Sequence, residues 1–501
     1  MKKSLVVSAV ILSVSSILTR ALGFGFRVFL SNKIGAEGMG LYQLSFSLYM
    51  IFLALCSSGI SISVTKLISE HIAKHGKSGV SFIVRKAVFL TALIGSVLGA
   101  VMFFASGSLS LLILQDARTE LSIKILSPTL PFVAISACLN GYFYAMRKIS
   151  RPAVTQIIEQ ISKIALVAVF LAFTAPGNVE LACAVTVIGL GLGEIICCVL
   201  IGLGYLLEKI RAPDKLETPP RDVTRRLLGV SIPISAGSAA TSCFRMLENV
   251  LIVSKLKEYG SSHSAATGTY GILKGMVLPL LLFPSSLISA FVTTLVPEIA
   301  HANAGGDTQR SAKLISRVLQ ITTVLSVFIV AVFLSFSYEL GTLIYHNDEV
   351  GIMLGMLSII CPFIYLEMVV VGLLHALGQQ VSSLKYNLID SALRIVLIIL
   401  LIPRFGVNSF LWVMIASNLF TSLLNLRRLL KVAPVIFNVM DWFIKPSLAA
   451  LGAGMLARFF YKNALHHLIP LPFAVAAGVL AAACLYFFAA FLFMRKTIIT
   501  T

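Results

Sequence analysis

Fourteen mainly apolar stretches, separated by short polar or basic connections, run along the 501-residue chain. They fall at about 5–30, 41–65, 87–114, 122–146, 153–174, 180–207, 227–254, 268–299, 314–337, 350–376, 385–403, 407–426, 441–461 and 470–494. Roughly 20 apolar residues cross a bilayer as a helix, and lipid offers an open backbone no hydrogen-bond partner. The pattern therefore predicts an all-α polytopic membrane protein with about 14 transmembrane helices. The longest polar stretch, Glu208 to Arg226 with Pro213, Pro219 and Pro220, separates the sixth helix from the seventh.

The charges inside these stretches repeat. Glu159 and Lys163 sit in one apolar run, and Asp390 and Arg394 sit in another at a fixed offset of 231 residues. The same offset carries Pro131-Phe132 onto Pro362-Phe363, Gly141 onto Gly372 and Ala145 onto Ala376. A duplication of six helices is the reading. An even number per half makes the halves parallel repeats, as in secondary transporters whose substrate lies between them. The expected organisation is an N-terminal lobe at 1–211, a cytoplasmic linker at 212–226, a C-terminal lobe at 227–431 and a two-helix appendage at 432–501. The eighth helix carries Pro279, Pro284 and Pro297 with Gly271 and Gly275 upstream. Proline frees carbonyls and kinks a helix, so a bent, cavity-lining element is expected there.

Composition agrees with a membrane protein: mean hydropathy is +0.95, with 58% hydrophobic and 12% charged residues. The net charge of +19 could suggest nucleic acid, but its placement argues otherwise. With the N-terminus inside, most Lys and Arg fall on cytoplasmic ends or loops: Lys66 to Lys86, Arg147-Lys148 with Arg151, Lys209 to Arg226, Arg310 to Arg317, and Arg427-Arg428 with Lys431. That is the positive-inside pattern. It places both termini in the cytoplasm, with weak attraction to anionic membrane lipid as a by-product. Met1-Lys2-Lys3 before an apolar run resembles a signal peptide. Arg20, Arg27 and the length of the run instead make it the first membrane helix. The eight cysteines lie inside predicted spans without metal-ligand spacing, so no metal or cofactor is expected. No Walker loop, HExxH or nucleophile elbow appears, which leaves an enzyme reading without local support.

A charge near the bilayer centre costs at least ~2.5–3.5 kcal/mol on insertion scales, so each one needs a partner or a wet cavity. Glu159–Lys163 and Asp390–Arg394 are i, i+4 pairs, and Arg245–Glu248 is an i, i+3 pair; each can neutralise itself on its own helix. These read as structural charges first. Glu194 and Glu367 are single buried acids that could bond a neighbouring helix or hold a coupling ion, Na⁺ or H⁺. Arg20 and Arg27 are different. They lie seven residues apart, a rise of ~10.5 Å along one face, with no acid on their own helix. Either Arg27 snorkels to the interface and Arg20 pairs with Glu194 or Glu367, or an anion lies against both. Lys274, in the glycine-rich start of the eighth helix, reads as a third unpaired cation. Arg and Lys give charge-assisted bonds to phosphate oxygens, so such a set suits an anionic substrate such as a diphosphate.

At Thr19-Arg20-Ala21-Leu22-Gly23-Phe24, at Ile34-Gly35-Ala36-Glu37-Gly38-Met39-Gly40-Leu41-Tyr42-Gln43-Leu44, and at Phe283-Pro284-Ser285 with Leu295-Val296-Pro297, the chain resembles the multidrug, oligosaccharidyl-lipid and polysaccharide exporter superfamily. Its polysaccharide-transport branch, of stage V sporulation protein B type and related to lipid II flippases, fits best. The resemblance implies two six-helix lobes that open alternately to each side of the membrane. It also implies cavity arginines that hold the diphosphate of an undecaprenyl-linked saccharide, and extra helices that make a groove for its tail. Arg20 matches the first-helix arginine of those flippases in motif and place. Arg27 matches their second with one residue of extra spacing, a shift of about 100° around the helix. Lys274 is displaced from their eighth-helix cation. Their second-helix arginine is absent, since Leu53 to Ser58 carries no charge.

The expected function is a flippase that carries an undecaprenyl-diphosphate-linked saccharide, lipid II-like or another envelope precursor, to the outer leaflet. Arg20, Arg27 and Lys274 would bind substrate. The rivals are a cation-coupled multidrug exporter of the same fold and a non-transporting scaffold for envelope or spore-cortex synthesis.

Overall fold

The computed structural model describes residues 2–174, 177–211, 222–433, 435, 438–465 and 468–499. Most of the 212–226 linker, with Pro213, Pro219 and Pro220, lies outside the described residues, as does the side chain of Pro297.

The protein is all-α. Among the described residues, 11 helices are long and apolar enough to cross a membrane, or 12 when Asp348–Ser358 and Cys361–Ala376, bent by 63°, count as one span. Two of these, Val14–His75 and Gln380–Val432, run for 62 and 53 residues, far beyond the roughly 20 that one crossing needs. Each is broken by a kink at a glycine with positive φ, Gly35 at 70° and Gly406 at 65°. A side chain would meet strain in that conformation, and each helix divides there into two segments long enough for a crossing apiece. Counted so, the helices are compatible with about fourteen crossings, and every expected apolar stretch lies on helix. The expected eighth span is interrupted: His263–Gly271 continues into a π-helical turn at Ile272–Val277 and a short helix Leu278–Leu282, and Ser285–Ala304 begins after Phe283-Pro284.

The chain groups into two compact units, Met1–Lys257 with Ser261–Gly271, and Glu258–Gly260 with Ile272–Thr501. By contacts, then, helices Val223–Glu258 and His263–Gly271 group with the six that precede the linker. Local chemistry accounts for this. The Gly59 N–H donates to Ser235 Oγ at 3.1 Å. A Cβ on Gly40 would lie 2.1 Å from the Thr267 carbonyl oxygen, and one on Gly271 would lie 2.0 Å from that of Ala36. Only glycine permits so close a backbone approach, and the two helices meet there without side chains between them.

The first unit has an apolar core in which Ile60, Val64, Val84, Cys138 and Phe143 are essentially inaccessible. In the second, the appended helices Lys445–Phe460 and Leu471–Ile499 pack on Thr308–Tyr345 through Ala450, Ala453, Ala457 and Tyr486. Small residues allow that approach where apolar lipid supplies little drive for helices to associate. Arg458 also donates to Glu339 Oε1 across this contact, so the two charges pair within the packed face.

Candidate functional site

Helix Ser150–Ala172 presents Glu159 and Lys163 one turn apart, and the ammonium of Lys163 lies 2.5 Å from Glu159 Oε1. The same ammonium donates to Glu194 Oε1 on helix Val179–Arg211 at 2.7 Å. Glu194 is thus not a lone acid: one lysine serves two carboxylates from two helices. The reach depends on Gly193, where a Cβ would stand 2.2 Å from Lys163 Cγ. All three side chains are between 12% and 21% exposed, so the attraction acts in a medium of low polarity.

Lys163 and Glu194 border a cavity of about 220 Å³ inside the first unit, lined also by Arg27, Gln160 and the aromatic residues Tyr42, Phe46 and Tyr49. The aromatics recur at helical spacing. Tyr42 and Phe46 stack with centroids 5.7 Å apart, and Phe46 meets Tyr49 at 5.9 Å. The Tyr49 hydroxyl is fixed by Thr129 at 2.9 Å.

Arg20 and Arg27 are both exposed on the first helix. Neither makes an ion pair among the described residues, so Arg20 does not bond Glu194 or Glu367. Lys274 differs from the expectation: it is not an unpaired cation. Its ammonium lies 5.8 Å from the Phe410 ring centre and it engages a further partner. A lysine half-buried in a π-helical turn is costly unless compensated, and the fold compensates it. The Arg245–Glu248 pair does not form among the described residues. Arg245 is exposed, whereas Glu248 is 6% exposed and lies close enough to the buried Tyr270 to act on it electrostatically. Burial draws the carboxylate inward, and the guanidinium stays outside.

In the second unit Arg394 Nη2 donates to Asp390 Oδ2 at 2.5 Å. Ser417 donates to the other oxygen of Asp390, and Thr421, one turn further along the same helix, reaches Glu367 Oε2 at 3.4 Å. Glu367 has no ionic partner within bonding distance among the described residues. Both repeated i, i+4 pairs are therefore made, but their surroundings differ: a second carboxylate joins the first, the Ser417 hydroxyl the second.

One ionic cluster has no precedent in the sequence reading. Asp116, 4% exposed, receives Arg118 Nε at 3.0 Å, Arg118 Nη2 at 2.9 Å and the Arg118 backbone N–H at 3.1 Å. Arg118 Nη1 donates to Glu37 Oε1 at 2.6 Å, and His263 Nε2 lies 2.7 Å from Asp116 Oδ2. Burial pushes the Asp116 carboxyl up, but the three bonds and the charge of Arg118 outweigh it and hold the group below its ordinary range. The four residues come from three segments, with only Asp116 and Arg118 close in sequence. The only signal in the sequence was the scarcity of acids before Asp116. No group of three or more His, Cys, Asp or Glu capable of holding a metal ion occurs among the described residues.

Membrane helices that bury charge pairs at corresponding places in two repeats are the arrangement found in secondary transporters. Residues 5–303 match the family described as polysaccharide biosynthesis protein, and the chain belongs to that family. It is 23% identical over 448 residues to stage V sporulation protein B of Bacillus subtilis (strain 168), covering 88% of this chain and 86% of the relative. It is 23% identical over 355 residues to the lipid II flippase MurJ of the same organism, covering 66% and 64%. Among solved structures, a lipid II flippase MurJ in an inward closed conformation superposes with TM-score 0.73 at 16% identity, over 97% of this chain and 99% of that one. An inward-facing multidrug resistance MATE family transporter of the MOP superfamily gives 0.66 at 14% identity, over 85% and 98%. The fold is that of the MOP transporters.

Proposed function

We propose that this protein flips an undecaprenyl-diphosphate-linked saccharide from the cytoplasmic to the outer leaflet of the cell membrane, with both of its termini in the cytoplasm. The observation that carries the reading is that Arg20 and Arg27 stand on the first helix without ionic partners among the described residues. Lys163 and Arg394 are neutralised by acids. Two uncommitted guanidiniums on one helix face are a match for the two phosphates of a diphosphate. Family membership and the likeness to proteins named as flippases support the lipid-linked substrate class.

In this reading Arg20 and Arg27 hold the diphosphate, the isoprenoid tail stays in lipid, and alternation between states open to either side carries the polar head across. The two six-helix repeats at 1–211 and 227–431 are the elements that move against each other. Lys274, already engaged, joins the cradle only by exchanging its present partner for phosphate. Glu367, which accepts from Thr421 alone among the described residues, is the proposed site of a coupling proton. A negative-inside potential adds ~2.3 kcal/mol per charge per 100 mV to anion export, so voltage is a second source of drive.

The test is a headgroup-accessibility assay in vesicles containing the purified protein and undecaprenyl-diphosphate-linked saccharide, with and without imposed voltage. The proposal expects external reagents to reach more than the initially outward-facing half of the headgroups, faster with voltage. Transport of a cationic drug without any movement of the sugar lipid would select the multidrug-exporter reading.

A further inference from the structure

The cavity beside Lys163 combines features that the diphosphate does not use. Arg27, Lys163 and Glu194 line it, and Glu159, outside the lining, bonds Lys163 at 2.5 Å, so that the four charges balance. A phosphate would need a surplus of positive charge and a metal cation a surplus of negative. A site of zero net charge that offers donors and acceptors together suits a neutral ligand rich in hydroxyls. Gln160 adds an amide with both capacities. The opposite wall is aromatic. Tyr42 and Tyr49 are 8% and 3% exposed, so the half-buried ring of Phe46 between them is the part of the ladder open to a ligand. At about 220 Å³ the cavity is smaller than the ~300–1,000 Å³ of sites for drug-sized ligands. It has room for one small ring, not for a whole saccharide headgroup.

From this we infer that the cavity is a sugar subsite that receives the single pyranose ring next to the diphosphate. The proposal rests on the flippase reading and deepens it. The C–H face of the ring lies on Phe46, and its hydroxyls bond Gln160, Glu194 and Lys163. Arg27 is both exposed and part of the lining, so it stands at the mouth, where the first sugar joins its phosphate. One guanidinium then serves both the ring and the diphosphate. The subsite also gives a reason to keep three charges paired within the membrane: paired charges hold their hydrogen-bonding groups in place without attracting counter-ions.

The experiment compares binding of two lipids to the full-length protein in nanodiscs: undecaprenyl diphosphate carrying one N-acetylhexosamine, and bare undecaprenyl diphosphate. The wild type should bind the glycosylated lipid about tenfold more tightly, the order expected from one aromatic face and a few hydrogen bonds. Phe46→Leu and, separately, Gln160→Leu should each cut that ratio at least threefold while leaving affinity for the bare lipid unchanged. Two variants on different helices guard against a folding defect in one, and unchanged binding of the bare lipid reports that each is folded. An unaltered ratio in both variants, or equal affinity of the wild type for the two lipids, overturns the subsite and leaves the diphosphate reading intact. Binding of neither lipid removes both.

Discussion

Lys163 bonds Glu194 across two helices at 2.7 Å while holding Glu159 one turn away on its own. The lysine is the hinge of this arrangement because its removal leaves two carboxylates close together with no cation between them.

Lys163→Met should therefore destabilise the protein by about 3–5 kcal/mol, the usual cost of orphaning a buried charge. The triple variant with Glu159→Gln and Glu194→Gln should recover most of that loss. Thermal unfolding in detergent reads both. Equal melting temperatures for Lys163→Met and wild type would show that the carboxylates are solvated without it.

The glycine contact yields a second expectation. A methyl group on Gly40 would press into the Thr267 carbonyl, so Gly40→Ala should open the contact between the helical segment that follows Gly35 and helix His263–Gly271. Thr267 is fully buried. A Thr267→Cys probe should react several-fold faster with a membrane-impermeant maleimide when Gly40→Ala is also present. Unchanged labelling would mean that the backbone shifts to absorb the methyl group.

The Asp116–Arg118 bond should depend on pH in a defined direction. The Asp116 carboxyl is held below its ordinary value of about 3.9. Its stabilising contribution is thus complete above that ordinary value and is lost as pH falls through the depressed one. The coupling from a double-mutant cycle of Asp116→Asn with Arg118→Gln should be about 1–3 kcal/mol. It should stay constant from pH 8 to 5 and shrink only below about pH 4. A cycle at each pH isolates this bond from the other contacts of Asp116. Coupling already gone at pH 5 would contradict the assignment.

What the sequence disclosed follows from how far apart the cooperating residues lie. Helices were legible because lipid demands long apolar runs, and Glu159–Lys163 and Asp390–Arg394 were legible because one helical turn joins each pair. The same reasoning failed for Arg245–Glu248, where packing draws the acid inward and leaves the base outside. It also failed for Lys274, whose partnership is decided by neighbours outside its own turn. Glu194 looked solitary because the lysine that serves it is 31 residues away on the preceding helix. The Glu37, Asp116, Arg118 and His263 cluster drew on three distant segments, and only Asp116 and Arg118 are near each other in sequence. Helix geometry is written locally, whereas the choice of ionic partner is made by packing.

The central claim is that the first-helix arginines hold a diphosphate during its passage, and charge exchange at Arg20 tests it most directly. Arg20→Lys, Arg20→Ala and Arg20→Glu should be compared for the rate at which undecaprenyl-diphosphate-linked saccharide becomes accessible outside reconstituted vesicles, at matched protein content and melting temperature. The account predicts partial retention in Arg20→Lys, a drop of at least tenfold in Arg20→Ala and no detectable flipping in Arg20→Glu. Wild-type rates in Arg20→Glu would contradict it.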